Sequence, residues 1–335
     1  MSFPIQLTGC GHFLPNRIVP NSELCSFLDT TNEWIVERTG IRQRHVADEG
    51  QGTSDLSVPA AKRALEQARL KPEEIDLIVV ATSTPDMLMP NTASIIQHAI
   101  GATHAAAFDV EAACAGFTYA FAIACQFIAS GTYRKVLVIG ADVMSKFLNW
   151  NDRSTSILFG DGAGAVVIER GEEQGVHALH LGADGAGRGH IMIPLGSRVP
   201  PSAELIESGG HCMQMRGREV YKFAVEIVPK AIAKVLEQAG LSLDDLQHVL
   251  LHQANLRIME AVAKRLGLSS DKMLSNVDRV ANTSGASIPI ALSEAVLSGK
   301  VKAGDRLVMV GFGAGLTWGA SLVTWNGPLE RKEHE

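Results

Sequence analysis

The sequence predicts an α/β protein built from two similar halves, each with helices layered on a mainly parallel sheet. Short β-branched runs bounded by turn or charged residues alternate with helical patterns, and one helix–turn–strand unit occurs twice, 171 residues apart. The chain also holds 32 glycines in 335 residues but only 5% aromatics, which points to many tight turns and close helix–sheet contacts.

Five runs read as buried strands: Leu77-Ile-Val-Val-Ala81, Lys135-Val-Leu-Val-Ile139, Gly164-Ala-Val-Val-Ile168, His248-Val-Leu-Leu251 and Arg306-Leu-Val-Met-Val310. Positions 55–68 and 221–239 carry apolar residues at three- and four-residue spacing and read as amphipathic helices. The most apolar stretch, 112–125, follows Asp109 and Glu111 closely. It is too short to cross a bilayer and reads as a fully buried helix.

The repeat is specific in its order. Arg63-Ala-Leu-Glu-Gln-Ala-Arg-Leu-Lys-Pro-Glu-Glu-Ile-Asp-Leu-Ile-Val-Val-Ala81 lies over Lys234-Val-Leu-Glu-Gln-Ala-Gly-Leu-Ser-Leu-Asp-Asp-Leu-Gln-His-Val-Leu-Leu-His252. A second match, Ser130-Gly131 with Ser298-Gly299, is 168 residues apart. One fold duplicated in tandem accounts for both. The first offset puts His252 opposite Ala81, at the carboxyl end of a strand; the second puts Asn282 opposite Cys114. The three side chains are therefore expected around a pseudo-twofold axis, where ligands usually bind in such folds.

Composition narrows the function classes. With 46% apolar and 20% charged residues, wholesale disorder is excluded, and the length allows two domains or one large one. A net charge of −6 without a long basic run makes a poor general binder of nucleic acid or anionic membrane. The scarce aromatics argue against a stacking surface for single strands. The first eight residues hold no basic region ahead of an apolar block, so no secretory signal is expected. Five cysteines without a CxxC pair fit a reducing cytoplasm better than a disulfide framework or a zinc ribbon.

Three residues could carry chemistry. Cys114 lies among small neighbours in Glu111-Ala-Ala-Cys-Ala-Gly-Phe117, where a helix N-terminus would lower its pKa and offer N–H groups to an oxyanion. His252, between a buried strand and a polar turn, could donate from Nε2 or act as a base. Asn282 precedes a helix in Ala281-Asn-Thr-Ser-Gly-Ala-Ser287. Taken singly, each is more often a buried thiol, a structural histidine and an N-cap. The glycine runs Phe159-Gly-Asp-Gly-Ala-Gly-Ala165 and Gly311-Phe-Gly-Ala-Gly315 lack the spacing of a phosphate loop and read as tight turns between strands packed on the active site. His177, His180, His190 and His211 sit in loop-like stretches without ligand spacing, so no metal is expected.

Together these residues resemble the β-ketoacyl-acyl-carrier-protein synthase III family. The resemblance runs through Thr30-Thr-Asn-Glu-Trp-Ile-Val-Glu-Arg-Thr-Gly-Ile41, Ala112-Ala-Cys-Ala-Gly-Phe117, His252-Gln-Ala-Asn-Leu-Arg257, Ala281-Asn-Thr-Ser284 and Gly315-Leu-Thr-Trp-Gly319, in the family's order over essentially the whole chain. Asn32 stands where many relatives have aspartate, and Ala281 and Ala314 where many have glycine. The resemblance implies a thiolase-like fold with a layered αβαβα core, residues 1–172 carrying the nucleophile and 173–335 the His and Asn, usually as a homodimer. It implies a Cys114–His252–Asn282 triad. Acyl-coenzyme A acylates Cys114, malonyl-acyl-carrier protein loses carbon dioxide, and the resulting enolate attacks the acyl group, initiating fatty acid synthesis. No cofactor is implied, since coenzyme A arrives as substrate.

By the same resemblance, the N–H groups of Cys114 and Ala314 form an oxyanion hole, and Trp34, Arg38, Arg153 and Asn255 hold coenzyme A. Lys222, Arg257, Lys264 and Arg265 receive the acidic carrier protein. Met89, in a loop that reaches the acyl pocket across the dimer, replaces a frequent phenylalanine; its flexibility leads us to expect primers longer than acetyl. Three alternatives remain open on the sequence. They are a condensing enzyme or acyltransferase of secondary metabolism, a Cys-His-Asn thioester hydrolase and a non-catalytic acyl-binding homologue.

Overall fold

A computed structural model describes residues 4–330. Part of the N-terminal segment read for a secretory signal, residues 1–3, lies outside the described residues, as do 331–335.

The first half supplies strands β1 (Ile5–Phe13), β2 (Leu77–Ala81), β3 (Ala106–Val110), β4 (Lys135–Val143) and β5 (Asp161–Arg170). The second supplies β6 (Val176–Ala183), β7 (His248–Leu251), β8 (Met273–Leu274), β9 (Arg306–Gly313) and β10 (Thr317–Thr324). The sheet orders are β1-β5-β4-β2-β3 and β6-β10-β9-β7-β8, one order used twice. In both sheets the two pairings at one end are parallel and the two at the other antiparallel. Only the second strand of each order therefore runs against the other four. Each sheet is mixed, though mostly of one direction.

Seven helices matter to the site: α1 (Asn32–Thr39), α2 (Thr53–Ala68), α3 (Thr92–Ile100), α4 (Gly116–Ala129), α5 (Gly217–Ala239), α6 (Leu256–Leu266) and α7 (Ser287–Leu297). The apolar face of α2, with Leu56, Ala60, Ala64 and Ala68 buried, covers the outer side of the first sheet together with α3. α5 and α6 cover the outer side of the second. α4 and α7 are apolar nearly all round and pack against both sheets, which places them in the middle layer. Five layers, αβαβα, result.

Three expectations need correction. Both glycine runs lie largely within strands β5 and β9, and His177 and His180 lie in β6. These sequences lack β-branched alternation, so tertiary pairing sets their conformation. Also, the residue at the place of Cys114 in the second half is Gly285. Cys114 is the middle residue of a 3-10 turn, Ala113–Ala115, ahead of α4; the matching turn ahead of α7 is Ser284–Ala286, an offset of 171. Helix α4 has 14 residues and α7 has 11, so the offset falls to 168 only at their far ends, where Ser130 meets Ser298. Asn282 lies two residues before its turn.

Candidate active site

Residues that follow the carboxyl ends of β2, β3, β4, β7 and β9 line one cavity of about 1140 Å³; among them are Ser83, Glu111, Met144, His252 and Ala314. Cys114 and Asn282 share it. The expected site at the strands' carboxyl ends is therefore where the two halves converge.

Cys114 is 8% exposed, and its thiol donates to Ser284 Oγ at 3.6 Å. Burial pushes the thiol up to about 12, only partly offset by the Ser284 hydrogen bond. The sequence predicts a lowered value; in the fold, burial outweighs the helix end. Strand β9 comes very close: a Cβ on Gly313 would lie 2.8 Å from Cys114 Cβ and 3.1 Å from Sγ, so only glycine fits there.

His252 and Asn282 are both buried, and each has one polar side-chain atom held by a protein partner. His252 Nδ1 lies 2.7 Å from Ser287 Oγ, and its ring meets Phe312 edge-on at 5.2 Å. Burial lowers its pKa to about 3, so the ring is neutral at physiological pH. Asn282 Oδ1 accepts from Ser284 N at 2.9 Å, which orients the amide and leaves Nδ2 for the cavity. The Asn282 main chain is held by bonds to Leu158 and Gly160.

The Cys114 N–H lies against its own thiol, and the Ala314 N–H meets no backbone acceptor among the described residues. Thr317 Oγ1 lies 3.1 Å from Ala112 O and 2.7 Å from Ala314 O, tying their two loops together. Behind the turns, Asp142 is fully buried. Its carboxylate accepts from Ser83 N at 2.8 Å and Gly285 N at 2.9 Å, and the Ser284 hydroxyl also bonds to it. Burial raises its pKa to about 6. Asp142, Ser284 and Thr317 were not singled out in the sequence. The one available signal was an acidic residue closing an otherwise apolar strand.

Of the four non-glycine residues with positive φ among those described, Ala113, Ala281 and Ser284 flank the site. Ala281, at φ 64° and ψ −162°, occupies a region that suits glycine. Ala281→Gly is expected to raise stability by about 1 kcal/mol, after allowing for the freer unfolded chain. Denaturant unfolding measures this, and a lower midpoint would contradict it. Ala314 has no positive φ, so alanine is unstrained there.

Two sequence-family models match the chain, 3-oxoacyl-acyl-carrier-protein (ACP) synthase III at residues 108–185 and its C-terminal region at residues 236–325. The beta-ketoacyl-acyl-carrier-protein synthase III of Caldanaerobacter subterraneus subsp. tengcongensis is 51% identical over 96% of this chain and 97% of its own length. The chain belongs to the β-ketoacyl-acyl-carrier-protein synthase III family. The solved synthase III of Thermus thermophilus superposes with a TM-score of 0.90 at 42% identity, covering 96% of this chain and 99% of that one. A priming β-ketosynthase from the R1128 polyketide pathway superposes with a TM-score of 0.91 at 39% identity, covering 97% of each chain. The five layers are accordingly the thiolase-like fold of this synthase III family.

At the synthase's cavity mouth, α1 presents Trp34 and Arg38, and α6 opens at Asn255. Gly40 ends α1 at φ 78°, and a Cβ there would collide with Leu256, so glycine lets the two helices abut. Asn255 caps α6 through Arg257 N at 2.8 Å and donates from Nδ2 to Arg38 O at 3.1 Å. It thus ties α6 to the end of α1. The Arg153 guanidinium lies 4.6 Å from the Trp34 ring centroid, while Arg38 is 5.7 Å away. Arg153 therefore stacks directly on Trp34, with no room for a flat ring between them.

Other site residues are more dispersed. Arg257, Lys264 and Arg265 are exposed on α6, with Arg257 at the cavity and the other two about two turns away. Lys222, on α5, pairs with Glu219 at 3.2 Å, and Arg265 donates to Val225 O at 3.2 Å. Met89 is 83% exposed and does not line its own cavity, whereas Met87 and Leu88 of the same loop do. Among the described residues no three His, Cys, Asp or Glu side chains group as metal ligands, and no helix is long and apolar enough to cross a membrane.

Proposed function

We propose that the chain condenses an acyl-coenzyme A primer with malonyl-acyl-carrier protein, through an acyl-Cys114 intermediate, to start fatty acid synthesis. The observation that carries this reading is the inventory of free groups in the cavity. A thiol lies beside two neutral side chains, each with one polar atom held by a protein partner, leaving Asn282 Nδ2 and His252 Nε2 unpartnered among the described residues.

Cys114 sulfur attacks the thioester carbon, the bond to coenzyme A breaks, and the departing thiolate takes the proton. Because the thiol is buried, proton loss is coupled to attack. Malonyl-acyl-carrier protein then replaces coenzyme A. Its C–C bond breaks, carbon dioxide leaves, and the electron pair moves onto the thioester oxygen as an enolate. Donors from His252 and Asn282 stabilise that charge; the acyl oxyanion formed next is held by the Cys114 and Ala314 N–H groups. The enolate carbon bonds to the acyl carbon to form that oxyanion; its collapse breaks the C–S bond to Cys114, whose thiolate takes a proton from solvent as the β-ketoacyl product leaves.

A neutral His252 sets the pH behaviour. Its pKa, lowered to about 3, means the ring takes up a proton only as pH falls toward 3. Carbon dioxide release from preformed acyl-enzyme, under saturating malonyl-acyl-carrier protein, is expected to show no limb from His252 between about pH 5 and 8, the one titrating neighbour in that window among the described residues being Asp142, raised to about 6. A limb near pH 6.5 that persists in Asp142→Asn would show that His252 ionises during the step. The same weak basicity weighs against a hydrolase, which needs His252 to take the Cys114 proton and hold it.

Residues 1–172 and 173–335 act here as two halves of one site. Trp34, Arg38, Arg153 and Asn255 receive coenzyme A once Arg153 swings off Trp34. Arg257, Lys264, Arg265 and Lys222 receive the carrier protein. The working form is a cytoplasmic homodimer: β3 leaves one edge unpaired with Phe108 and Val110 half-buried, and Leu88 and Met89 project 95% and 83% exposed from a loop suited to a partner's pocket. No resident cofactor is needed.

Intact-protein mass spectrometry tests the reaction and the primer together. Incubation with acetyl-, hexanoyl- and octanoyl-coenzyme A, then a chase with malonyl-acyl-carrier protein, is expected to give adducts on Cys114 that the chase discharges. Hexanoyl and octanoyl adducts are expected to form at least as readily as acetyl. Much faster turnover of acetyl-coenzyme A would remove the longer-primer reading, and discharge by water alone would favour a hydrolase.

A further inference from the structure

We propose that Ser287 is a positioning residue that fixes the tautomer of His252, keeping the ring's single proton on Nε2 for the enolate. Ser287 opens helix α7 and is buried. It does not line the cavity, so it acts through the histidine. Its Oγ lies 2.7 Å from His252 Nδ1 and 3.3 Å from Gln253 N. A backbone N–H can only donate, so Gln253 uses one Ser287 lone pair. Among the described hydrogen bonds the Ser287 hydroxyl has no acceptor other than His252 Nδ1. Its proton therefore points at Nδ1, Nδ1 accepts, and the neutral ring carries its own proton on Nε2.

The rest of the ring is held as firmly. His252 N donates to Val310 O at 2.8 Å, and Phe312 packs edge-on against the imidazole. Nε2 has no protein partner among the described residues. In this tautomer it offers a donor to the thioester oxygen as negative charge develops there. In the other tautomer it would turn a lone pair toward that oxygen and repel the enolate. The Ser287 hydroxyl also fixes the spacing of the two donors, because it joins the end of β7 to the helix that follows Asn282 by five residues. Asn282 is oriented in the same manner by Ser284 N.

This inference rests on the condensation reading, and the test separates the two. Protein labelled with 15N-histidine, with the His252→Gln variant to assign the signals, is expected to show His252 protonated on Nε2 and bare on Nδ1 at pH 7. Ser287→Ala is expected to give a mixture of tautomers. It should also slow carbon dioxide release from hexanoyl-Cys114 by roughly tenfold or more, as for loss of an orienting partner, while acylation is unchanged. Ser287→Thr keeps the hydroxyl and should restore both. A proton on Nδ1 in the wild type overturns the proposal, as does Ser287→Ala with an unchanged ratio of carbon dioxide release to acylation. If Ser287→Ala does not fold, the wild-type spectrum and Ser287→Thr still decide. Absence of any acyl adduct in the wild type would instead refute the condensation reading and leave the tautomer result standing.

Discussion

Cys114→Ala is expected to abolish the acyl-enzyme altogether. Incubated with hexanoyl-coenzyme A, the variant should show the mass of the unmodified chain, and overall condensation should fall to background. The expectation rests on geometry. Cys114 is the thiol at the cavity, held between Ser284 and the close approach of β9 at Gly313. Cys10 and Cys125 are buried away from it, with thiol pKa values pushed up by burial. Alanine is smaller and needs no partner, so the fold should survive, and thermal unfolding checks this. A covalent adduct on the variant would mean that another residue is the nucleophile.

Asn282→Ala should divide the two half-reactions. Acylation of Cys114 uses the Cys114 and Ala314 N–H groups and should be nearly intact. Decarboxylation loses one of its two enolate donors and should slow by on the order of a hundredfold to a thousandfold. Single-turnover mass spectrometry measures both, since the adduct appears in the first step and is discharged in the second. Equal loss in both steps would point to a collapsed turn, because Asn282 Oδ1 also holds Ser284 N, and Ser284 holds the thiol. Asn282→Asp keeps that acceptor but puts a negative charge beside the forming enolate. It should leave the turn in place and still fail at decarboxylation, which separates the chemical role from the structural one.

Much of the fold was legible because the core strands are locally explicit. Leu77–Ala81 and His248–Leu251 have the bounds read from their β-branched runs. Strands β1, β6 and β10 were not read. They carry interspersed glycines and polar residues such as Thr8, His180 and Ser321, and become strands by pairing with partners far along the chain. The triad was legible in a similar way. The repeat and the motifs together marked Cys114, His252 and Asn282, and the structure gathers all three at one cavity. The supporting residues were harder to see. Asp142, Thr317 and Ser284 are ordinary residue types whose significance lies in what they touch, across up to about 205 residues of chain. The repeat also misled by three residues at Cys114, since an offset measured at the end of α7 does not hold at its start.

By itself the sequence determined that the chain is a duplicated α/β fold, which residues are chemically capable, and which family's motifs they follow. Those properties depend on residue type and spacing, and both are written along the chain. Only the tertiary structure decided the state of those groups: a thiol raised by burial, an imidazole kept neutral, and an amide turned by Ser284. It also decided that Arg153 rests on Trp34 and that Met89 does not line its own cavity. Protonation, tautomer and orientation depend on dielectric surroundings and on hydrogen-bond partners, and these exist only when distant segments meet.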